Sequence, residues 1–141
     1  MIILDTNVLS ALMQQHPDPV AVNWLDAQAS ENVWISSITV FETRYGLALL
    51  PNGQRKTQLQ NRFELLVQTD LANRVIMFDG RAAHMAARLA AERKTRGRPV
   101  DMRDTFIAGI ALAQGATLVT RNTRHFDDLT TPVVDPWSSH G

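Results

Sequence analysis

The strongest constraint on the fold of this chain is the alternation of two apolar periods along it. Short runs apolar at successive positions, Met1-Ile2-Ile3-Leu4, Val33-Trp34-Ile35 and Val75-Ile76-Met77-Phe78, read as strands buried on both faces. Thr117 to Thr120 supplies a fourth strand and Val133-Val134 a short fifth. The stretches between them carry the helical period instead. Val8, Leu9, Leu12 and Met13 line a helix that His16-Pro17-Asp18-Pro19 stops, and a second short helix buries Val20, Trp24 and Leu25. Thr39 begins a helix running to Leu50, where Pro51-Asn52-Gly53 ends it. Leu59, Phe63, Leu66 and Val67 then fall at i, i+4, i+7 and i+8, so these two helices form an antiparallel hairpin. Asp79 caps a helix burying Ala82, Ala86, Leu89 and Ala90, with Gly97 just beyond its end. Asp101 or a neighbour opens the next, which buries Phe106, Ile107, Ile110 and Ala111 and stops at Gly115. Strands alternating with helices require an α/β fold: a mainly parallel sheet of four to five strands, covered on both faces. Ligands of such sheets bind at the carboxyl ends of the strands, where Asp5 and Thr120 stand.

Composition narrows the class. With 141 residues, 45% hydrophobic and 20% charged, residues 1–141 make one ordinary globular domain that needs no disulfide or structural metal to hold it. Cysteine is absent, which excludes thiolate zinc sites, iron–sulfur clusters and cysteine nucleophiles and fits a reducing, cytoplasmic setting. No apolar run approaches the roughly 18 residues that span a bilayer, so no membrane association is expected. The formal net charge is zero, but 12 of the 14 cations are Arg, a bias toward planar recognition of phosphate or carboxylate. The surplus lies late in the chain, where Arg88, Arg93, Lys94, Arg96, Arg98 and Arg103 crowd one stretch. A solvated helix face and a phosphate-contacting surface both account for it.

Nucleotide-binding loops, nucleophile elbows and zinc-protease signatures are all missing. The histidines at 16, 84, 125 and 140 show no ligand spacing. Carboxylates at strand ends and helix starts remain. Asp5 caps the helix that follows it, yet a carboxylate directly after four apolar residues is costly unless something compensates, and Asp5-Thr6-Asn7 gathers one carboxylate and two neutral oxygens there. Thr39-Val40-Phe41-Glu42 fits a capping box, which gives Glu42 a structural role. Asp104 complements a helix dipole, with Asp101 as that helix's cap. Thr120 and Asn122 make a turn after the fourth strand. A functional reading needs these acids to converge on a hard divalent cation.

Ile2-Ile3-Leu4-Asp5-Thr6-Asn7, Ser36 to Glu42, Asp104-Thr105-Phe106-Ile107-Ala108 and Leu118 to Phe126, with Pro136-Trp137 near the end, together resemble the PIN domain. The nearest likeness is to VapC-type toxin ribonucleases of the FitB-like branch, and it covers essentially the whole chain. The resemblance implies a three-layer α/β/α fold and RNA cleavage dependent on Mg²⁺ or Mn²⁺, with tRNA a reasonable first substrate to test. It implies an acidic triad of Asp5, Glu42 and Asp104, in which Asp5 and Asp104 hold the metal and Glu42 orients water. Asn7, Thr120, Asn122 and Asp101 would support the site, Asn122 replacing a fourth acid found in some members. Arg96, Arg98, Arg103, Arg121 and Arg124 would position the RNA backbone. A homodimer and a small cognate antitoxin are further implications. Two alternatives stay open: a haloacid-dehalogenase-type phosphatase, weakened because Asn7 stands where a second Asp is wanted, and a PIN-like RNA- or protein-binding module with little catalysis.

Overall fold

The computed structural model describes residues 1–138; His140 lies outside them. Five strands, β1 (Ile2–Leu4), β2 (Val33–Ser36), β3 (Val75–Ile76), β4 (Thr117–Val119) and β5 (Val133–Val134), form one sheet in the order β3-β2-β1-β4-β5. Every pairing is parallel, and register runs Ile2 to Val33 on one side of β1 and Ile2 to Thr117 on the other. Six helices connect the strands: α1 (Thr6–Met13), α2 (Pro19–Asp26), α3 (Ser37–Ala48), α4 (Gln54–Leu65), α5 (Gly80–Thr95) and α6 (Met102–Gln114).

Because successive strand residues face opposite ways, the all-apolar strands feed two separate cores. Ile3 and Leu118 point to the side covered by α5 and α6, where they meet Leu89, Ile107, Ile110 and Phe126. Leu4, Val33, Ile35 and Val119 point to the other side and pack with Val8, Leu9, Met13, Leu47 and Phe63. The result is the three-layer α/β/α arrangement. The α5–α6 contact is close enough that Gly109 has no room for a side chain: a Cβ there would lie 2.6 Å from the Ala82 carbonyl oxygen and 2.7 Å from Ala86 Cβ.

The chain builds β1, β2 and β3 outward in one direction, then crosses back to lay β4 on the free side of β1. That reversal makes a crevice between the carboxyl ends of β1 and β4, the usual ligand position of an open parallel sheet. Local signals agree with this path. Asp18 caps α2 with Pro19 at its first position, Asp79 caps α5, Asp101 caps α6, and Gly115 ends α6 in the left-handed region at φ 61°. Lys56 Nζ meets the Ala48 carbonyl and Arg44 pairs with Glu64, so α3 and α4 run antiparallel.

Several boundaries move. Pairing in β3 ends at Ile76, leaving Met77 exposed, and α4 begins at Gln54, well before the apolar stripe. Helix α3 starts at Ser37, because the Ser36 hydroxyl accepts the Thr39 amide at 3.1 Å. The capping box expected at Thr39 therefore does not form. Glu42 falls in the second turn, beyond any unpaired amide, and its side chain turns elsewhere.

Candidate active site

Asp5 follows the last residue of β1 and caps α1, so its carboxylate is fixed at the crevice with only 5% of the residue exposed. Oδ1 accepts the Thr6 amide at 2.8 Å, Oδ2 accepts the Thr120 hydroxyl at 2.7 Å, and Asn7 Nδ2 lies 3.5 Å away. These donors offset part of the cost of burying a charge. Burial nevertheless dominates, and it pushes the Asp5 carboxyl from its ordinary 3.8 up to about 6; the Thr120 and Thr6 bonds oppose that rise, while the charges of Asp104 and Glu42 add to it.

Thr120, fully buried at the end of β4, ties the crevice together. Its hydroxyl donates to Asp5 and accepts the Asn122 amide at 3.0 Å, and it lies 3.4 Å from Asn7 Nδ2. Asn7 Oδ1 in turn accepts the Arg121 amide at 3.2 Å, so the first turn of α1 is fastened to the segment after β4.

The other two acids arrive on helices. Glu42, on α3, accepts the Thr6 hydroxyl at 2.9 Å and lies 3.6 Å from the exposed guanidinium of Arg103. Asp104, in the first turn of α6, donates its amide to Asp101 at 3.0 Å, and its Oδ2 stands 3.0 Å from His125 Nδ1. Three carboxylates from three elements thus share one electrostatic field at the carboxyl end of the sheet.

Of the remaining expected residues, Asp101 is at the rim as the α6 cap. Asn122 sits on the turn after β4, its amide on Thr120 and its carbonyl accepting the His125 amide. Arg121 lies 3.7 Å over the Trp137 ring and 3.7 Å from Asp18, whose carboxylate also accepts the Trp137 indole N–H at 2.8 Å. Arg96 and Arg124 are exposed, whereas Arg98 is bound to Asp127 at 2.7 Å and to the Arg124 carbonyl at 2.8 Å. Sequence reasoning missed three residues: Thr6 as the bridge between α1 and Glu42, His125 beside Asp104, and Arg93, buried inside the fold.

Among the described residues, no three His, Asp or Glu side chains close around a common point as a finished metal cage. The donor chemistry still suits a hard divalent cation: carboxylate and hydroxyl oxygens, no sulfur, and a buried Asp5 whose negative charge lacks a cationic partner among its contacts. Glu42 and Asp104 are the acids whose oxygens are shared with Arg103 and His125.

The chain matches the family model for the PIN domain over residues 2–131. It is 43% identical over 137 residues to the VapC ribonuclease Y4jK of Sinorhizobium fredii, covering 97% of this chain and 98% of that protein. It is 38% identical to toxin FitB of Neisseria gonorrhoeae, covering 97% and 99%. The structure of FitAB bound to a DNA fragment superposes with a TM-score of 0.90 at 37% identity, covering 100% of this chain and 99% of that one. That likeness displaces the phosphatase alternative: this chain belongs to the PIN-domain family, homologous to the VapC- and FitB-type toxins of toxin–antitoxin systems.

Proposed function

We propose that the chain is the toxin of a toxin–antitoxin pair and acts as an endoribonuclease dependent on Mg²⁺ or Mn²⁺. The observation that carries this reading is the buried Asp5 carboxylate, raised to about 6 and facing two further acids with no cation among its partners. Holding such a group costs stability, and a divalent cation is the ligand that repays it. Asp5 and Asp104 would hold the ion, and Glu42 would supply the acceptor that orients water. When bound, the ion offsets charge on the phosphate oxygens and makes water a better nucleophile. Thr120 and Asn7 keep Asp5 in place, and Asn122 shapes the turn beside it. Arg96, Arg103, Arg121 and Arg124 stand at the surface to meet the RNA backbone.

The protein works in the cytoplasm as a homodimer, restrained by a small antitoxin. The relatives support the toxin role and its antitoxin partner: one is named a ribonuclease, another is toxin FitB, and a similar chain was solved in FitAB bound to DNA. Among the described residues, no helix is long and apolar enough to cross a membrane.

Purified protein incubated with an RNA panel including tRNA, with Mn²⁺ or with EDTA, tests the reading. Cleavage that needs the metal, leaves 5′-phosphate ends and disappears in Asp5→Asn, Glu42→Gln and Asp104→Asn is expected. Metal-independent cleavage, or wild-type rates in those variants, refutes it, and a folded protein that binds RNA without cutting it returns the binding-module alternative.

A further inference from the structure

Arg93 lies in the last turn of α5, on the same stripe as Ala82, Ala86 and Leu89, and only 2% of it is exposed. A guanidinium out of water must spend its N–H groups on acceptors. Nε and Nη2 grip the two oxygens of Asp128 at 2.9 and 2.8 Å, Nη2 also donates to the His125 carbonyl at 2.9 Å, and Nη1 reaches Thr105 Oγ1 at 3.4 Å. These bonds hold the Asp128 carboxyl below the usual carboxylate range. Arg98 clasps the same turn from outside through Asp127 and the Arg124 carbonyl, and Phe126 plugs it into the core.

His125 is therefore pinned by its backbone on both sides, its carbonyl on Arg93 and its amide on the Asn122 carbonyl at 3.0 Å. Its imidazole, more than half exposed, makes one contact with an acid of the crevice: Nδ1 to Asp104 Oδ2 at 3.0 Å. An ionised carboxylate only accepts, so Nδ1 carries the hydrogen of this bond. The Asp104 side chain, in the first turn of α6, is partly exposed at 24%, and a short acid there has more than one staggered rotamer to choose from.

We propose that His125 is a positioning residue for Asp104: anchored by the Arg93–Asp128 pair, its Nδ1–H fixes one carboxylate oxygen and leaves Oδ1 as the oxygen presented to the ligand. What Asp104 then holds rests on the nuclease reading above, but the contact and its anchor do not. Orienting partners of metal-binding side chains are worth about 10- to 100-fold in affinity or activity. The chain would thus set each acid with a different holder, Thr120 for Asp5, Thr6 for Glu42 and His125 for Asp104.

The test compares wild type, His125→Ala and His125→Asn, the last returning an N–H donor near the Nδ1 position. Three readouts are taken: Mn²⁺ affinity by calorimetry without RNA, single-turnover cleavage with its KM, and the Asp104 carboxyl ¹³C and His125 ring ¹⁵N resonances in metal-free protein. Expected are a roughly 10- to 100-fold loss of Mn²⁺ affinity and of kcat in His125→Ala, an unchanged KM for RNA, and substantial recovery in His125→Asn. The wild-type ring should carry its hydrogen on Nδ1, and the Asp104 resonance should move in the Ala variant and return in the Asn one. Unchanged Mn²⁺ affinity in His125→Ala, or an Asn variant as defective as the Ala one, overturns the proposal. If wild type binds no Mn²⁺, the nuclease reading falls and the Asp104 resonance decides: a shift in His125→Ala reversed in His125→Asn supports positioning, and no shift overturns it.

Discussion

Replacing Asp5 by asparagine removes a buried charge and leaves an oxygen in place for the Thr6 amide, so it separates the cost of the charge from the value of the cap. The folded carboxyl titrates near 6 against an ordinary 3.8. At about 1.4 kcal/mol per pH unit, this difference corresponds to about 3 kcal/mol. For an acid whose folded pKa is raised, the stabilising contribution is fully present below the unfolded pKa and is lost as pH rises through the folded one. Metal-free wild type therefore carries close to the whole penalty at about pH 8, and about 2 kcal/mol of it is relieved on going down to about pH 4.5. Asp5→Asn lacks this dependence. Its stability advantage over wild type should be greatest at about pH 8, at most about 3 kcal/mol less the cost of fitting an amide against Thr120 and Asn7, and should shrink across that window. Taking the difference between the two proteins cancels the titrating acids remote from Asp5, leaving Asp5 with its coupling to Asp104 and Glu42. Urea unfolding in EDTA, followed by Trp fluorescence, measures it. A difference that stays flat between the two pH values refutes the raised Asp5, and a variant less stable than wild type at about pH 8 shows that the carboxylate is held chiefly as a cap.

Three further outcomes follow from the same geometry. Arg93→Met leaves the Asp128 carboxylate with Arg98 alone, 3.5 Å away, and should cost at most about 3–5 kcal/mol in urea unfolding, with the double variant Arg93→Met, Asp128→Leu recovering part of the loss. Gly109→Ala drives a methyl into the Ala82 carbonyl and the Ala86 side chain, so α5 and α6 must separate; a loss of about 1–3 kcal/mol is expected, and wild-type stability would show that the helices part freely. Glu42→Gln keeps an oxygen for the Thr6 hydroxyl and should leave the thermal unfolding midpoint nearly unchanged while cleavage disappears; a large fall in the midpoint would restore a structural role for Glu42.

The acids were legible as candidates because Asp5 directly follows an apolar strand and Asp104 opens an apolar helix, while Glu42, in the second turn of α3, stood out only through its capping-box spacing from Thr39. Their holders were not. Thr6 meets Glu42 across 36 residues, Thr120 meets Asp5 across 115, and His125 meets Asp104 across 21, each pairing set by the order of strands in the sheet. Local pattern carries no information about that order. The cap of α3 was misread for a related reason: both Ser36 and Thr39 are competent caps, and only the pairing of β2, which keeps Ser36 extended, decides between them.

Arg93 shows which local signal should have prevailed. Its place within a run of cations suggested a solvated face, but it continues the series 82, 86, 89, 93, the spacing of one buried helical stripe. Composition describes a segment, whereas period assigns a side to each residue in it. Once period puts an arginine inside, physical chemistry adds a second requirement, because a buried guanidinium without an acid is too costly to persist. A partner acid must then come from an element packed over the last turn of that helix. The turn after β4, with Asp127 and Asp128 following the apolar Phe126, is such a segment, and the structure places Asp128 there. The pair could thus have been sought from the sequence, and with it the anchor that sets His125 against Asp104.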